Sequence, residues 1–193
     1  PLVYFSDVIK TRLKTTSLVE KIADSRLPIR GAGVFRAIVF RSQADDAEHV
    51  ALVIGDLSAN VPTLVRVHAE HRLADTLGLG AAQRSIFGAI KRIATEERGV
   101  FVYLRHPRKG FLRDQVLSLL SSQSPHTVMN LREHGVGVQI LRALGVNKIR
   151  LLTNSQRDVP GLSAFDIEII ERVPFSIAEK SPLHSLNIRD LGI

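Results

Sequence analysis

The sequence predicts an α+β domain, layered in the α/β manner, with helices flanking a mixed sheet. Two observations carry this expectation: strand-type patterning dominates residues 33–70, and helix and strand patterning alternate from residue 81 onward. Strands first, then alternating helix and strand, is the order that a layered sheet with flanking helices requires. The length of 193 residues favours one domain, or one domain with an extension.

Taken in order, Val3 to Arg26 reads as one amphipathic helix, with Val8, Ile9, Leu13, Leu18, Val19 and Ile22 near helical spacing. LPIRGAG ends it through Pro28, Gly31 and Gly33. Three strands are expected in GVFRAIVFRS, EHVALVIGDL and TLVRVHAE, and their short connections suggest an antiparallel meander. AAQRSIFGAIKRIATEE sets Ile86, Ala89, Ile90 and Ile93 on one helical face, and Gly99 opens the strand GVFVYLRH. A helix around LRDQVLSLLSS comes next, then helix, Gly-Val turn and strand in EHGVGVQILRALGVNKIRLLTN, and a last strand in IEIIERVP. No internal repeat or low-complexity tract interrupts this order.

With 45% hydrophobic and 23% charged residues the chain has enough apolar material for a core. No apolar run approaches the ~20 residues of a membrane span and no signal peptide stands at the front, so a cytoplasmic setting without membrane contact is expected. The absence of cysteine removes disulfides, thiolate nucleophiles and thiolate metal ligands. With Pro1 rather than Met at the front, the sequence is expected to be a piece of a longer chain. A net charge of +7 suits an anionic partner such as a nucleotide phosphate, or is simply a solvated basic surface. Nucleic acid is not expected, because Trp is absent, Tyr occurs twice and the basic residues are scattered.

HAEH (His68 to His71) looks like the opening of a metal site. In a strand, however, His68 and Glu70 share one face and His71 takes the other, and on a helix the run is one residue short of H-E-x-x-H. A packed or hydrogen-bonded histidine is the plainer reading. No phosphate-cradling G-x-x-x-x-G-K-[ST] loop occurs. LRHPRKGFLRDQ sets Arg105, Arg108 and Lys109 between a strand's carboxyl end and a helix, where open α/β sheets tend to bind ligands. LLTNSQRD holds a similar position, with Thr153, Asn154 and Ser155 able to donate to a phosphate or simply to turn the chain.

Five segments in register, EHVALVIGDL, LVRVHAEH, GVFVYLRH, QILRALGVNKIRLLTN and IERVPF, resemble GTP cyclohydrolase II of riboflavin biosynthesis, over roughly Leu27 to the C-terminus. The resemblance implies that family's fold for residues 27–193. Residues 1–26 resemble the linker that follows a 3,4-dihydroxy-2-butanone 4-phosphate synthase in fusions of the two enzymes. It also implies a homodimer and a fused or associated synthase domain as partners.

The departures from the family pattern are specific. Three family thiolates hold a zinc whose bound water opens the guanine imidazole ring. Here His71 stands at the first thiolate position, and Gly80, Ala81 and Ala82 replace the C-D-C pair. A tetrahedral zinc needs three protein ligands and an open position, so no metal and no cofactor is expected. The nucleotide loop Q-E-G-R-G-I-G-L is matched by His106 to Leu112, with Pro107 at the acidic position and Lys109 near the basic one. The D-x-R-x-Y/F segment has no counterpart in LREHGVGV, where Arg132 and Glu133 are poor substitutes, and Asp158 stands near the lysine of T-N-N-P-x-K. Arg66 matches the arginine of R-V-H-S-E that contacts triphosphate.

The leading expectation is therefore a catalytically inactive GTP cyclohydrolase II-like domain, with no catalytic residues of its own, serving a fused synthase structurally or as a regulator. The second is a non-hydrolysing sensor of GTP or another phosphorylated ligand, bound by Arg66, Arg108, Lys109, Thr153 and Asn154. The third is a hydrolase with an altered metal on His68, Glu70 and His71.

Overall fold

The computed structural model describes residues 17–43, 45–58, 61–78, 82–120, 131–156 and 162–175. Their seven strands form one sheet: β1 (Val19–Ile29), β2 (Gly33–Ser42), β3 (Glu48–Ile54), β4 (Thr63–Ala69), β5 (Gly99–Leu104), β6 (Lys148–Leu152) and β7 (Glu168–Val173). The helices are α1 (Arg72–Leu77), α2 (Ala82–Thr95), α3 (Phe111–Leu120) and α4 (Leu131–Ala143), with a 3₁₀ turn at Leu162–Phe165. The strand order is β1-β2-β3-β5-β4-β6-β7, antiparallel from β1 through β5 and parallel among β5, β4, β6 and β7. This is the expected mixed sheet with flanking helices.

Two local expectations are corrected. Residues 19–26, expected to continue a helix, are extended and pair with β2 from Val19↔Ser42 to Ile29↔Gly33. The helical spacing of Leu18, Val19 and Ile22 loses to the open edge of β2, whose backbone donors and acceptors need a partner. The earlier part of that helix, Val3 to Thr16, lies outside the described residues. The meander ends at β3, because β5 lies between β3 and β4. β5 (GVFVYL) is buried along nearly its whole length and so suits a position with strands on both sides and layers on both faces.

Alternation along the strands divides the interior into two cores. Val65, Val100, Val102 and Leu104 pack with Val138, Ile140 and Leu141 of α4. Leu64, Phe101 and Leu152 pack on the other face with Ala89, Ile90 and Ile93 of α2. Each of the Val, Leu, Ile and Phe side chains contributes about 1.5–3 kcal/mol when fully buried. Close approach depends on two glycines: a Cβ on Gly99 would lie 2.7 Å from both Ile93 and the Leu64 carbonyl, and one on Gly137 would lie 3.2 Å from Val67. Of the two glycines in GVGV, Gly137 serves helix packing by letting α4 settle onto β4, whereas a Cβ on Gly135 would meet nothing within 4 Å.

Candidate functional site

The topology singles out one place for a ligand. From β4 the chain passes through α1 and α2 to β5 on one side; from β5 it passes through α3 and α4 to β6 on the other. α2 and α4 cover opposite faces, so the connections diverge at the carboxyl end of β4, the crevice where open sheets bind ligands. Arg66, His68, Glu70 and His71 lie along this end.

On the α2 face, β4 presents Leu64, Arg66 and His68 in alternation. The His68 ring stacks on Tyr103 at 5.5 Å between centroids and on Phe101 at 6.3 Å. Its Nε2 meets both carboxylate oxygens of Asp75 in α1, at 3.0 and 3.1 Å. The Tyr103 hydroxyl donates to Asp75 at 2.9 Å, and the His71 amide donates to the same carboxylate at 2.9 Å. Burial pushes the Asp75 carboxyl up, but the bonds from His68, His71 and Tyr103 outweigh it and hold the group below its ordinary value. Burial, followed by the neighbouring Asp75 charge, raises the Tyr103 phenol far above its ordinary value, so it acts as a donor.

The rest of HAEH is divided among other tasks. The buried Glu70 carboxylate accepts from the His106 amide at 2.9 Å and from Arg72, fastening the end of β4 to the loop after β5. The His71 ring caps α1, its Nδ1 accepting from the Ala74 amide at 3.2 Å. The side chains of His68, Glu70 and His71 therefore have separate partners. Among the described residues no three His, Cys, Asp or Glu side chains are grouped to hold a metal ion.

A further set lies beside the loop after β5. The His106 ring contacts the Glu133 carboxylate of α4 and packs on Phe111 at 4.2 Å between centroids. On β3, the buried His49 accepts from the Arg105 amide at 3.1 Å, while its Nε2 has no hydrogen-bond partner among the described residues. Burial lowers its pKa and keeps the ring neutral.

The five expected ligand residues fall into two groups that no contact joins. The Arg66 guanidinium is mostly buried, donates to the Leu152 carbonyl at 3.0 Å and lies 5.1 Å over the centre of the Phe175 ring. Burial pulls its pKa down, and no carboxylate pairs with it among the described residues. The Asn154 side chain clasps the Phe175 backbone, donating to its carbonyl at 2.9 Å and accepting from its amide at 3.0 Å. Thr153 donates its amide to Val173, and its hydroxyl accepts from the Ser155 amide. The polar groups of these two residues thus secure the end of β7, the turn-forming alternative of the sequence reading. Arg108 is exposed and paired with Asp114 in the first turn of α3; Lys109 is exposed. Gly80, Ala81 and Asp158 lie outside the described residues; Ala82 opens α2.

The GTP cyclohydrolase II family profile matches residues 20–174. The chain belongs to this family. It is 33% identical to the riboflavin biosynthesis protein RibBA of Bacillus cytotoxicus, over 93% of this chain and 48% of that protein. The RibBA of Chlorobium phaeovibrioides is also 33% identical, over 91% of this chain and 46% of the relative. Among solved structures it is similar to RibBX, a two domain 3,4-dihydroxy-2-butanone 4-phosphate synthase from A. baumannii. That likeness has 26% identity and a TM-score of 0.55, covering 89% of this chain and 44% of the other. The chain therefore spans about half the length of the relatives it matches. Among the described residues no helix is long and apolar enough to cross a membrane.

Within the GTP cyclohydrolase II family frame, the present side chains do not fit a tetrahedral zinc. His71, at the first thiolate position, spends its Nδ1 on a helix cap, and Gly80 and Ala82, at the other two, carry no donor side chain. Sequence reasoning missed Asp75, Tyr103, Phe175 and the contact between His106 and Glu133. Asp75 had one local cue, an acidic residue in the first turn of a helix opened by His71. The other three depend on contacts between distant parts of the chain.

Proposed function

We propose that this is a catalytically inactive GTP cyclohydrolase II-like domain of riboflavin biosynthesis, with a structural or regulatory role toward a 3,4-dihydroxy-2-butanone 4-phosphate synthase fused to it or associated with it. The observation that carries the reading is the use made of the family's zinc position. A histidine there caps a helix, and its neighbours form a closed hydrogen-bond cluster in place of a site with an open coordination position. Without a metal to lower the pKa of bound water from ~15.7 toward ~7, hydroxide for ring opening is scarce at neutral pH. The two-domain synthase among the similar structures supports a synthase as the partner. The test incubates purified protein with GTP and added zinc; no formate is expected, and formate release at rates typical of the family ends the reading. Synthase turnover measured with and without this domain then separates a regulatory role from a purely structural one.

Arg66 supports a second reading, a sensor that binds GTP or another phosphorylated ligand without hydrolysing it. A mostly buried guanidinium whose partners among the described residues are one carbonyl and one ring lacks, among those residues, the anion that such a group usually has. Calorimetry with GTP, inorganic triphosphate and flavin nucleotides tests this. Absence of binding heat at millimolar ligand eliminates it.

A further inference from the structure

We propose that the groove between the β1–β2 hairpin and the carboxyl end of α4 is the docking surface for the synthase domain, which presents to it a segment carrying carboxylates beside apolar side chains. The inference rests on the synthase-partner reading above and gives that partner a place on the fold.

The groove encloses about 670 Å³, and Ile38 and Phe40 of β2, Val53 of β3 and Leu144 after α4 make an apolar floor. The hairpin supplies a basic wall. Arg26 and Arg36 stand directly opposite each other across β1 and β2, so their side chains leave the same face. Lys21 is five positions before Arg26, which in a regular strand would send it to the other face. A bulge between Lys21 and Ala23 adds one residue and returns Lys21 to the groove side, opposite Phe40. On the far side Gly55, at a φ of 71°, leads into Asp56 and Leu57, which also line the groove. A Cβ on Gly55 would lie 2.3 Å from the Glu97 carbonyl oxygen, so this turn is held close against the segment after α2.

The wall holds more cations than the described residues neutralise. Asp24 accepts from Arg36 at 2.8 Å and from Lys21 at 3.2 Å, while Arg26 has no ion-pair partner among the described residues. Like charges directly opposed across a strand pair are unfavourable, and a partner carboxylate beside Arg26 and Arg36 relieves this. A lone inorganic anion would leave the apolar floor in water, whereas a polypeptide surface covers charge and floor together. Val34, at 48% exposure, carries the apolar strip to the mouth of the groove. The path of the chain points to the same partner. The Leu18 amide donates to the Gln139 side chain of α4 at 2.7 Å, and Val19 lines the groove. Because residues 1–26 resemble the linker that follows the synthase, a fused synthase reaches this domain at the groove's edge. A short tether holds it at an effective concentration of order millimolar, so a modest surface suffices. A second copy fits less well, since a two-fold contact through the groove brings two basic walls together.

The experiment uses the chain with its natural synthase, fused or co-purified, and a carbodiimide, which joins lysine amines directly to carboxylates. Besides the link to Asp24, Lys21 is expected to give a cross-link to an Asp or Glu of the synthase. Arg26→Glu and Val34→Asp, both at exposed positions, should each cut that cross-link at least ~10-fold, because opposed like charge and buried unpaired charge penalise a contact. If Arg26→Glu does not fold, Arg26→Gln carries the same test with a smaller fall. Leu117→Asp, on the exposed side of α3, should leave the cross-link unchanged. Mixing isotopically labelled and unlabelled protein identifies links to a second copy. Lys21 cross-links confined to its own domain or running to that domain of a second copy, or a synthase cross-link unchanged in every folded variant, overturn this inference while leaving the inactive-domain reading intact. A chain isolated from its source with no synthase attached or associated overturns both.

Discussion

Replacing Arg66 with methionine separates a strut from a binding group. The wild-type side chain makes one charge-assisted hydrogen bond, to the Leu152 carbonyl, and lies over Phe175. Losing these costs about 1.5–3 kcal/mol for the bond and about 0.5–2 kcal/mol for the ring contact. Against this stands the desolvation of a cation with no carboxylate partner among the described residues, which in folded proteins amounts to several kcal/mol. Methionine keeps an unbranched apolar stem in the space between β4, β6 and Phe175. The two sides nearly cancel, so the ligand-free Arg66→Met protein should be within about 1 kcal/mol of wild type, a shift of about 2–4 °C in Tm at this size. The anion response should differ sharply. A ligand at 100 times its Kd stabilises the native state by about 2.7 kcal/mol, and Arg66→Met should lose most of that gain. Thermal melting of both proteins in a titration of GTP, inorganic triphosphate and chloride measures both quantities. A fall of more than about 8 °C in Arg66→Met, with no anion-induced rise in wild type, would make Arg66 a structural strut and refute the sensor reading.

Three further outcomes follow from the packing and the titrating groups. Gly99→Ala places a methyl 2.7 Å from Ile93 and from the Leu64 carbonyl. It should cost about 1–3 kcal/mol in denaturant unfolding through strain at the α2–β5 contact, and an unchanged midpoint would show that α2 can move aside. His49 has a folded-state pKa below its ordinary value of 6.5, with burial as the main cause, Asp45 raising it, and Arg105 and His106 lowering it. Its neutral form therefore supports the fold above about pH 6.5, and that support is lost as pH falls through the folded-state value, where the unfolded chain already binds the proton. Tm should drop between pH 7 and 5, and His49→Asn, which retains an acceptor for the Arg105 amide, should flatten the drop. Asp24 is lowered to about 2, chiefly by its hydrogen bond with Arg36. Its contribution, present above the ordinary carboxylate value of 3.8, should fade as pH falls toward 2, and Arg36→Gln should remove that part of the acid profile in a pH-melting series.

Much of the fold was legible because its patterns are local. The spacing of Ala89, Ile90 and Ile93 marks α2, and the apolar run at Gly99 marks β5. Residues 19–26 were misread because Leu18, Val19 and Ile22 satisfy a helical spacing that nothing local contradicts. The deciding interaction is a ten-position pairing with β2, which lies after the turn at residues 30–32. The site divides in the same way. The lost thiolates and the surviving Arg66 are visible by position, whereas the fate of Asn154 depends on Phe175 coming to lie beside it.

Residue identity alone determined the layered α+β class, the family resemblance and the absence of thiolate chemistry, because each depends on patterning or on which side chains exist. Tertiary structure alone decided that β5 separates β3 from β4, that Arg66 is mostly buried with no carboxylate partner among the described residues, and that Asp75 holds His68, His71 and Tyr103 together. The reason is physical. Strand order and hydrogen-bond choice are set by competition among all the groups that folding brings within reach, and those groups come from parts of the chain that no local pattern connects.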